Sequence, residues 1–153
     1  MTTDYVMTPD GKYAYDYPRA MHTSDTMVLA KTNFGIFVLL VKRAHQPEMG
    51  KWAFPGGFMD MNETTEQCAR RELKEEAGLQ LDVDFRLVGV YSDVNRDPRG
   101  RVVTTAYMAL LSKCEPAKAG DDAAEAQWFN IDDLPKLAFD HDKMLRDALE
   151  MVK

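Results

Sequence analysis

Soft metal ligands and basic charge are both scarce in this chain. It holds two cysteines, Cys68 and Cys114, and three histidines, His22, His45 and His141, in 153 residues. Two cysteines without C-x-x-C spacing supply neither a disulfide framework nor a zinc site, so both thiols are expected to be reduced and Cys68 is read as a small buried filler. The isolated histidines receive no role. The longest apolar run, Phe34 to Val41, falls far short of the roughly 20 residues a membrane-spanning helix needs. The amino terminus also lacks the basic-then-apolar order of a signal peptide, so a cytoplasmic protein with no membrane partner is expected. Acidic residues outnumber basic ones by 25 to 19, a net charge of −6, which argues against nucleic acid, whose binding calls for a basic face. No internal repeat or low-complexity linker divides the chain. Its length and 45% hydrophobic content fit one domain over residues 1–153 with a real core.

Neither proline nor glycine interrupts the stretch from Thr64 to Ala77, where Ala69, Leu73 and Ala77 recur every fourth residue. That period predicts an amphipathic helix, capped at its start by Asn62 or Thr64 and stopped by Gly78. At about 100° per residue, Glu72, Glu75 and Glu76 share roughly a third of the helix circumference. Like charges at those spacings repel, and Glu63, Glu66, Glu72, Glu75 and Glu76 outnumber Arg70, Arg71 and Lys74. The patch is therefore net negative and calls for a cation. Oxygen ligands with no nearby His or Cys suit Mg²⁺, with Mn²⁺ as the alternative, rather than zinc.

Ahead of the helix lies Lys51-Trp52-Ala53-Phe54-Pro55-Gly56-Gly57, a strand-like aromatic stretch whose glycines let backbone approach a ligand closely. Gly57, Glu63, Arg71, Glu72, Glu75, Glu76 and Gly78 then fall at fixed separations around Leu73 and Leu79. If each of those seven positions has a chance of roughly 7% from average composition, an accidental match in one window has odds on the order of one in 10⁸. Coincidence is thereby set aside, and the pattern reads as a phosphate-cleaving site.

The run Gly57-x5-Glu63-x7-Arg71-Glu72-Leu73-x-Glu75-Glu76-x-Gly78-Leu79 resembles the complete signature of the Nudix hydrolases. The resemblance implies an α/β/α sandwich with a mixed sheet between helices, and hydrolysis of a nucleoside diphosphate linked to a second group with the help of divalent cations. It implies metal ligation by Glu72, Glu75 and Glu76, a further ligand in the Gly57 carbonyl, and Glu63 and Arg71 bracing the loop against the helix. A further acid from outside the signature is expected in the segment 120–129, with Asp122 ahead of Glu125 and Asp121. Glu72, Glu76, Asp122 and Glu125 are thus the catalytic candidates, and the proton acceptor is sought among Glu72, Asp122 and Glu125. The chain departs from many members in having Asn62 before the first signature glutamate, and Asn tolerates left-handed backbone angles.

Several shorter stretches, Tyr17-Pro18-Arg19, Lys51-Trp52, Ser92-Asp93, Arg96-Asp97-Pro98-Arg99-Gly100-Arg101 and Ala138-Phe139-Asp140-His141, are similar to the ADP-ribose pyrophosphatase branch. That likeness implies ADP-ribose as a small nucleotide substrate, cleaved to AMP and ribose 5-phosphate. Two other readings are a triphosphate pyrophosphohydrolase, separable by its products, and a non-catalytic ADP-ribose sensor. Sensors of this kind carry a DNA-binding domain after the sandwich, and here Lys153 follows the closing helix directly, so catalysis is the expectation. Arg96, Arg99 and Arg101 are candidates for phosphate or ribose oxygens, because guanidinium forks match phosphate, although Asp97-Pro98-Arg99-Gly100 also has the preferences of a type I turn. Trp52 is a candidate for base stacking, with core packing as the equal alternative.

Elsewhere, Ser24 to Lys31 and Gly35 to Arg43 are read as a hairpin, Phe85 to Ser92 and Val102 to Leu111 as a second strand pair, and Asp140 to Val152 as a closing helix. The alternating Tyr13, Tyr15 and Tyr17 predict an edge strand or arm packed on the body or on a second subunit, the basis for a candidate homodimer.

Overall fold

The computed structural model describes residues 5–120 and 122–153; Asp121, the third choice for the extra acid, lies outside them. A short hairpin of β1 (Tyr5–Met7) and β2 (Tyr13–Tyr15) stands as its own two-stranded sheet. The chain continues through β3 (Met21–Thr32), β4 (Gly35–Arg43), β5 (Trp52–Ala53) and β6 (Gly56–Phe58) into α1 (Thr65–Ala77), then β7 (Arg86–Tyr91), β8 (Val102–Leu111), β9 (Ala123–Asn130) and α2 (His141–Glu150). Strands β3 to β9 form one mixed sheet in the order β5-β4-β3-β8-β7, with β6 added to β3 and β9 to β4. Among the paired strands of the described residues, β3 and β8 run parallel, from Met21 opposite Val102 to Ala30 opposite Leu111.

Side chains alternate across a strand, and β3 uses both faces. Met27 and Leu29 pack with Met108, Met144, Leu145 and Ala148 on the α2 side, while Val28 packs with Leu39, Val41, Ala69, Leu73 and Ala77 on the α1 side. A helix on each face of a mixed sheet is the α/β/α sandwich expected. Residues Thr23 to Ala30 are all buried, as the apolar density of that stretch requires of a central strand.

The helix α1 starts where its caps dictate. The Thr64 hydroxyl accepts the Gln67 N–H at 3.1 Å, and the Gln67 side chain accepts the Thr64 N–H at 2.8 Å, a reciprocal capping box. It stops at Gly78, whose left-handed φ of 68° lets its N–H reach the Lys74 carbonyl at 3.0 Å. Cys68, Ala69, Leu73 and Ala77 form the buried stripe, and the Thr26 hydroxyl of β3 bonds the Ala69 carbonyl at 3.3 Å. Glu72 and Glu76 are thereby turned towards β6, which pairs with β3.

Two details differ from the sequence expectations. The aromatic stretch before the motif is split into β5 and β6, because Pro55 has no N–H for a ladder; its carbonyl instead accepts the Thr26 N–H at 2.9 Å. The tyrosine arm is a hairpin that packs on itself, with Tyr5 edge-on to Tyr13 and Tyr15 at 4.9 and 5.9 Å. Its partner strand β1, three residues long, is too short to show a period.

Leu73 is 1% exposed and ties α1 to the sheet. Leu73→Ala is expected to cost about 2–5 kcal/mol, read as a lowered urea midpoint with an unchanged denaturant slope.

Candidate functional site

Arg71 projects from the middle of α1 and gathers the loop that precedes it. Its Nη2 and Nε donate to the two Glu63 oxygens at 2.6 and 3.0 Å, Nη2 also donates to the Phe58 carbonyl at 3.1 Å, and Nη1 donates to Glu72 at 2.8 Å and Glu75 at 3.1 Å. Glu63 additionally accepts the Asp60 N–H at 2.8 Å. The Arg71 guanidinium holds the Glu63 carboxyl down at about 2, so the pair stays ionised at any physiological pH. One cation thus joins Asp60 and Glu63 of the loop to Glu72 and Glu75 of the helix.

Next to this joint, backbone and carboxylate meet without room for a β-carbon. A Cβ on Gly57 would lie 2.5 Å from the Glu72 carboxyl carbon, and one on Gly56 would lie 2.1 Å from Asp25 Oδ1. The Gly56 N–H donates to Glu76 Oε2 at 3.0 Å. The Gly57 carbonyl accepts the Cys68 thiol at 3.5 Å, and burial pushes that thiol up to about 12, which leaves it protonated and inert. Burial raises the Glu72 carboxyl against the pull of Arg71. It pushes Glu76 up to about 8, against the Gly56 N–H and with the help of the Glu72 and Asp25 charges. Crowded, desolvated carboxylates of this kind mark functional sites far more often than structural ones.

The opposite wall is basic. The Arg96 guanidinium, nearly fully buried, forms a bidentate pair with Asp140 at 2.7 and 2.9 Å. Arg99 donates to Asp97 at 2.7 Å and lies over the Phe58 and Phe139 rings at 4.9 and 5.5 Å. The Arg43 guanidinium lies over the same Phe139 ring at 5.0 Å and donates through Nε to the Pro47 carbonyl at 2.7 Å. Phe139 holds a left-handed φ of 51°, and its N–H donates to the Glu48 carboxylate. Beyond Phe139, His141 is 3% exposed, and burial lowers its pKa below the ordinary histidine value. Its Nδ1 accepts the Phe54 N–H at 3.2 Å.

Both walls face a cavity of about 450 Å³ lined by Asp25, Arg43, Gly56, Gly57, Arg71, Glu72, Glu76, Arg96, Arg99 and Asp122, with Phe139 and His141 among the rest. The turn reading of 97–100 is also present: the Gly100 N–H meets the Asp97 carbonyl at 3.5 Å and Asp97 accepts the Arg99 N–H at 2.9 Å. Turn and cavity wall are the same residues. Asp122 stands at the rim with a largely exposed side chain, 3.8 Å from His45. Glu75 is half in solvent on Arg71. Five sequence candidates among the described residues do not line the cavity: Glu63 and Glu75, both held by Arg71, and three others. Glu125 lies exposed on β9 opposite Lys42; Trp52 packs edge-on against Phe129 at 4.8 Å beside the α2-side core; Arg101 is exposed, with its carbonyl on the Met21 N–H.

Sequence reasoning gave no role to Asp25, Arg43 and His141. Asp25 had a signal: it is the one ionisable residue in the buried stretch Thr23 to Ala30, and a charge inside a central strand asks for a reason. Its Oδ2 accepts the Thr104 hydroxyl at 2.6 Å. Arg43 and His141 reach the cavity through the fold alone.

Among the described residues no three His, Cys, Asp or Glu side chains enclose an ion by themselves. The donors nonetheless fit a hard divalent cation. Such ions keep several waters and bind through one or two carboxylates plus substrate phosphates rather than through a closed protein cage, and Glu72 and Glu76 present half-buried, mutually repelling oxygens beside an open cavity.

The chain matches the NUDIX domain model over residues 21–148. It is 48% identical over 112 residues to a protein of Methanocaldococcus jannaschii called ADP-ribose pyrophosphatase, covering 73% of this chain and 65% of that one. It is 31% identical over 137 residues to the ADPR-responsive transcriptional repressor NtrR of Acinetobacter baylyi, covering 87% of this chain and 54% of the repressor. The chain therefore spans about half to two thirds of the length of these curated relatives. Among solved structures, the NUDIX domain of Shewanella oneidensis NrtR complexed with ADP ribose superposes with a TM-score of 0.83 at 28% identity, covering 90% of this chain and 91% of that one.

Glu76 generates a pH signature. Its folded pKa, about 8, lies above an ordinary 4.5, so its contribution to stability is complete below the lower value and is lost as pH rises through the upper one. In chelator, the melting temperature of wild type relative to Glu76→Gln is expected to fall between pH 5 and 9, and saturating Mg²⁺ to flatten that fall. Parallel curves for the two proteins would remove the assignment.

Proposed function

The chain belongs to the NUDIX family, and from that premise we propose that it is a divalent-metal-dependent hydrolase of nucleoside diphosphates linked to a second group, cleaving ADP-ribose to AMP and ribose 5-phosphate. One observation carries the reading: a single cavity has acids Asp25, Glu72 and Glu76 on one wall and Arg43, Arg96 and Arg99 on the other. Cation-binding and phosphate-binding groups then face the same substrate. The 48% identity to a protein called ADP-ribose pyrophosphatase supports the choice of sugar nucleotide.

In this reading Glu72 and Glu76 hold the cation, Mg²⁺ with Mn²⁺ as a substitute, and Glu75 joins them by turning from Arg71. When bound, the ion draws charge off the diphosphate oxygens and makes water acidic enough to attack phosphorus near neutral pH. Arg71 keeps Glu72 in place while Glu63 anchors Arg71. Arg99 and Arg43 receive phosphate oxygens, and Phe139 between them fixes their planes. Arg96 is spoken for by Asp140 and shapes the wall more than it grips. The proton of the attacking water goes to a carboxylate that can reach it: Glu72 lines the cavity and Asp122 stands at its rim, whereas Glu125 lies outside. A cytoplasmic setting and a homodimer through the tyrosine arm belong to the same proposal. The exposed Val6, Met7, Tyr13 and Tyr17 are the surface such a dimer would cover.

A sensing role is the second reading, favoured by the likeness to the repressor and its relative's ADP-ribose complex. It shares the ligand and lacks the turnover, and the complete set of signature acids weighs for turnover.

Hydrolysis of a nucleotide panel with Mg²⁺ and Mn²⁺, products separated by chromatography, tests the proposal. AMP and ribose 5-phosphate from ADP-ribose are expected; pyrophosphate from a triphosphate would replace the substrate assignment, and binding without turnover would favour the sensor. Glu76→Gln is expected to lose more than the 10–100-fold typical of a residue one step removed from a metal, while remaining folded by circular dichroism.

A further inference from the structure

We propose that His141 is a substrate-binding residue whose Nε2–H donates to an acceptor oxygen of the bound nucleotide, in the cavity between the carboxylate wall and the arginine wall. The inference deepens the function proposed above and rests on it.

The ring is fixed in three ways. It lies parallel to the Phe54 ring, centroids 4.8 Å apart and planes within 12°; the Phe139 ring closes on it at 5.7 Å from another side; and Nδ1 accepts the Phe54 N–H at 3.2 Å. A nitrogen that accepts a hydrogen bond carries no proton, so the one proton of the neutral imidazole must sit on Nε2. The backbone of the segment between β5 and β6 therefore chooses the tautomer.

That leaves a donor without an acceptor. His141 is 3% exposed, and among the described residues Nε2 makes no hydrogen bond while Ser24 Oγ is the buried side-chain atom left without a partner, so the little surface the ring keeps includes Nε2. His141 is part of the cavity lining, so its unpaired donor is open to whatever the cavity holds. A ring whose sole function were to hold Phe54 would need only its Nδ1. The position rewards a neutral donor. The acids Asp25 and Asp140 and the cations Arg43 and Arg96 all act on this ring, and a donor without net charge can bind a phosphate or ribose oxygen without competing with the carboxylates for a cation. An ammonium or guanidinium at the same point would pair with Asp25.

Two substitutions separate the ring's edges. His141→Asn keeps an acceptor where Nδ1 stands and removes the distal donor; His141→Gln returns an N–H near the Nε2 position. Binding is read by calorimetry on the full chain in Mg²⁺ with a methylene-bridged ADP-ribose analogue that cannot be cleaved, alongside ¹⁵N-histidine NMR of the wild type. Expected results are an unprotonated Nδ1 at pH 7, an Nε2 proton that shifts downfield when the analogue is added, a 10- to 100-fold loss of affinity in a His141→Asn that remains folded at the assay temperature, and partial recovery in His141→Gln. Unchanged affinity in a folded His141→Asn, or an Nε2 resonance indifferent to the analogue, would overturn the inference. Should His141→Asn not fold, the wild-type resonance alone decides. A wild type that binds the analogue but does not hydrolyse ADP-ribose leaves His141 supported and the hydrolase reading overturned; a wild type that binds no analogue overturns the inference.

Discussion

Arg71 is the joint on which the site depends. Carboxylates three and four residues apart on one helix repel each other, and partial burial makes the repulsion worse because desolvation penalises each charge. A single guanidinium, forked onto Glu63 and reaching Glu72 and Glu75 with its remaining N–H groups, holds the helix and the loop in one geometry. Lysine could not serve: a point charge on a flexible stem lacks the planar fork that grips two oxygens while presenting further donors to a third and fourth. Glu76, which Arg71 does not reach, is left to the Gly56 N–H and accordingly bears the largest upward displacement of the group.

The glycines take their meaning from the same acids. Backbone at Gly56 and Gly57 comes so near Asp25 and Glu72 that any side chain would occupy the space of a carboxyl group. Neither glycine is required by its backbone angle; both are required by what lies against them. The short pairing of β6 with β3, Thr23 to Phe58 through Asp25 to Gly56, sets that distance, so sheet register and acid placement are one specification.

Local features of the fold were legible in the sequence because local chemistry determines them. The helix from Thr65 to Ala77 announces itself through its caps and its four-residue stripe, the hairpin of β3 and β4 through a turn between apolar runs, and the acid patch through spacing alone. What the sequence concealed is whatever depends on long-range pairing. His141 and Phe54 are 87 positions apart and Arg96 and Asp140 are 44 apart, distances over which no period carries information. Trp52 was left open for a local reason. Its place beside the motif left base stacking and core packing equally open, and β5, which pairs with β4 on the edge opposite β9, has its indole packed onto Phe129. Arg99 was ambiguous for a sound reason, since its side chain serves the turn and the cavity together.

The central strand β3 hydrogen-bonds to β4, β6 and β8 and contributes to both cores, while Asp25 projects from it into the cavity floor. Segments with that many backbone partners open only with global unfolding; the loops bearing Arg99 and Asp122 hold fewer ties. In the proposed reading, the acid Asp25 is thus anchored in the least yielding part of the molecule, while Arg99 and Asp122 stand on its most replaceable parts. Loops of that kind can be rewritten at a few surface positions without disturbing the strand that carries the acid.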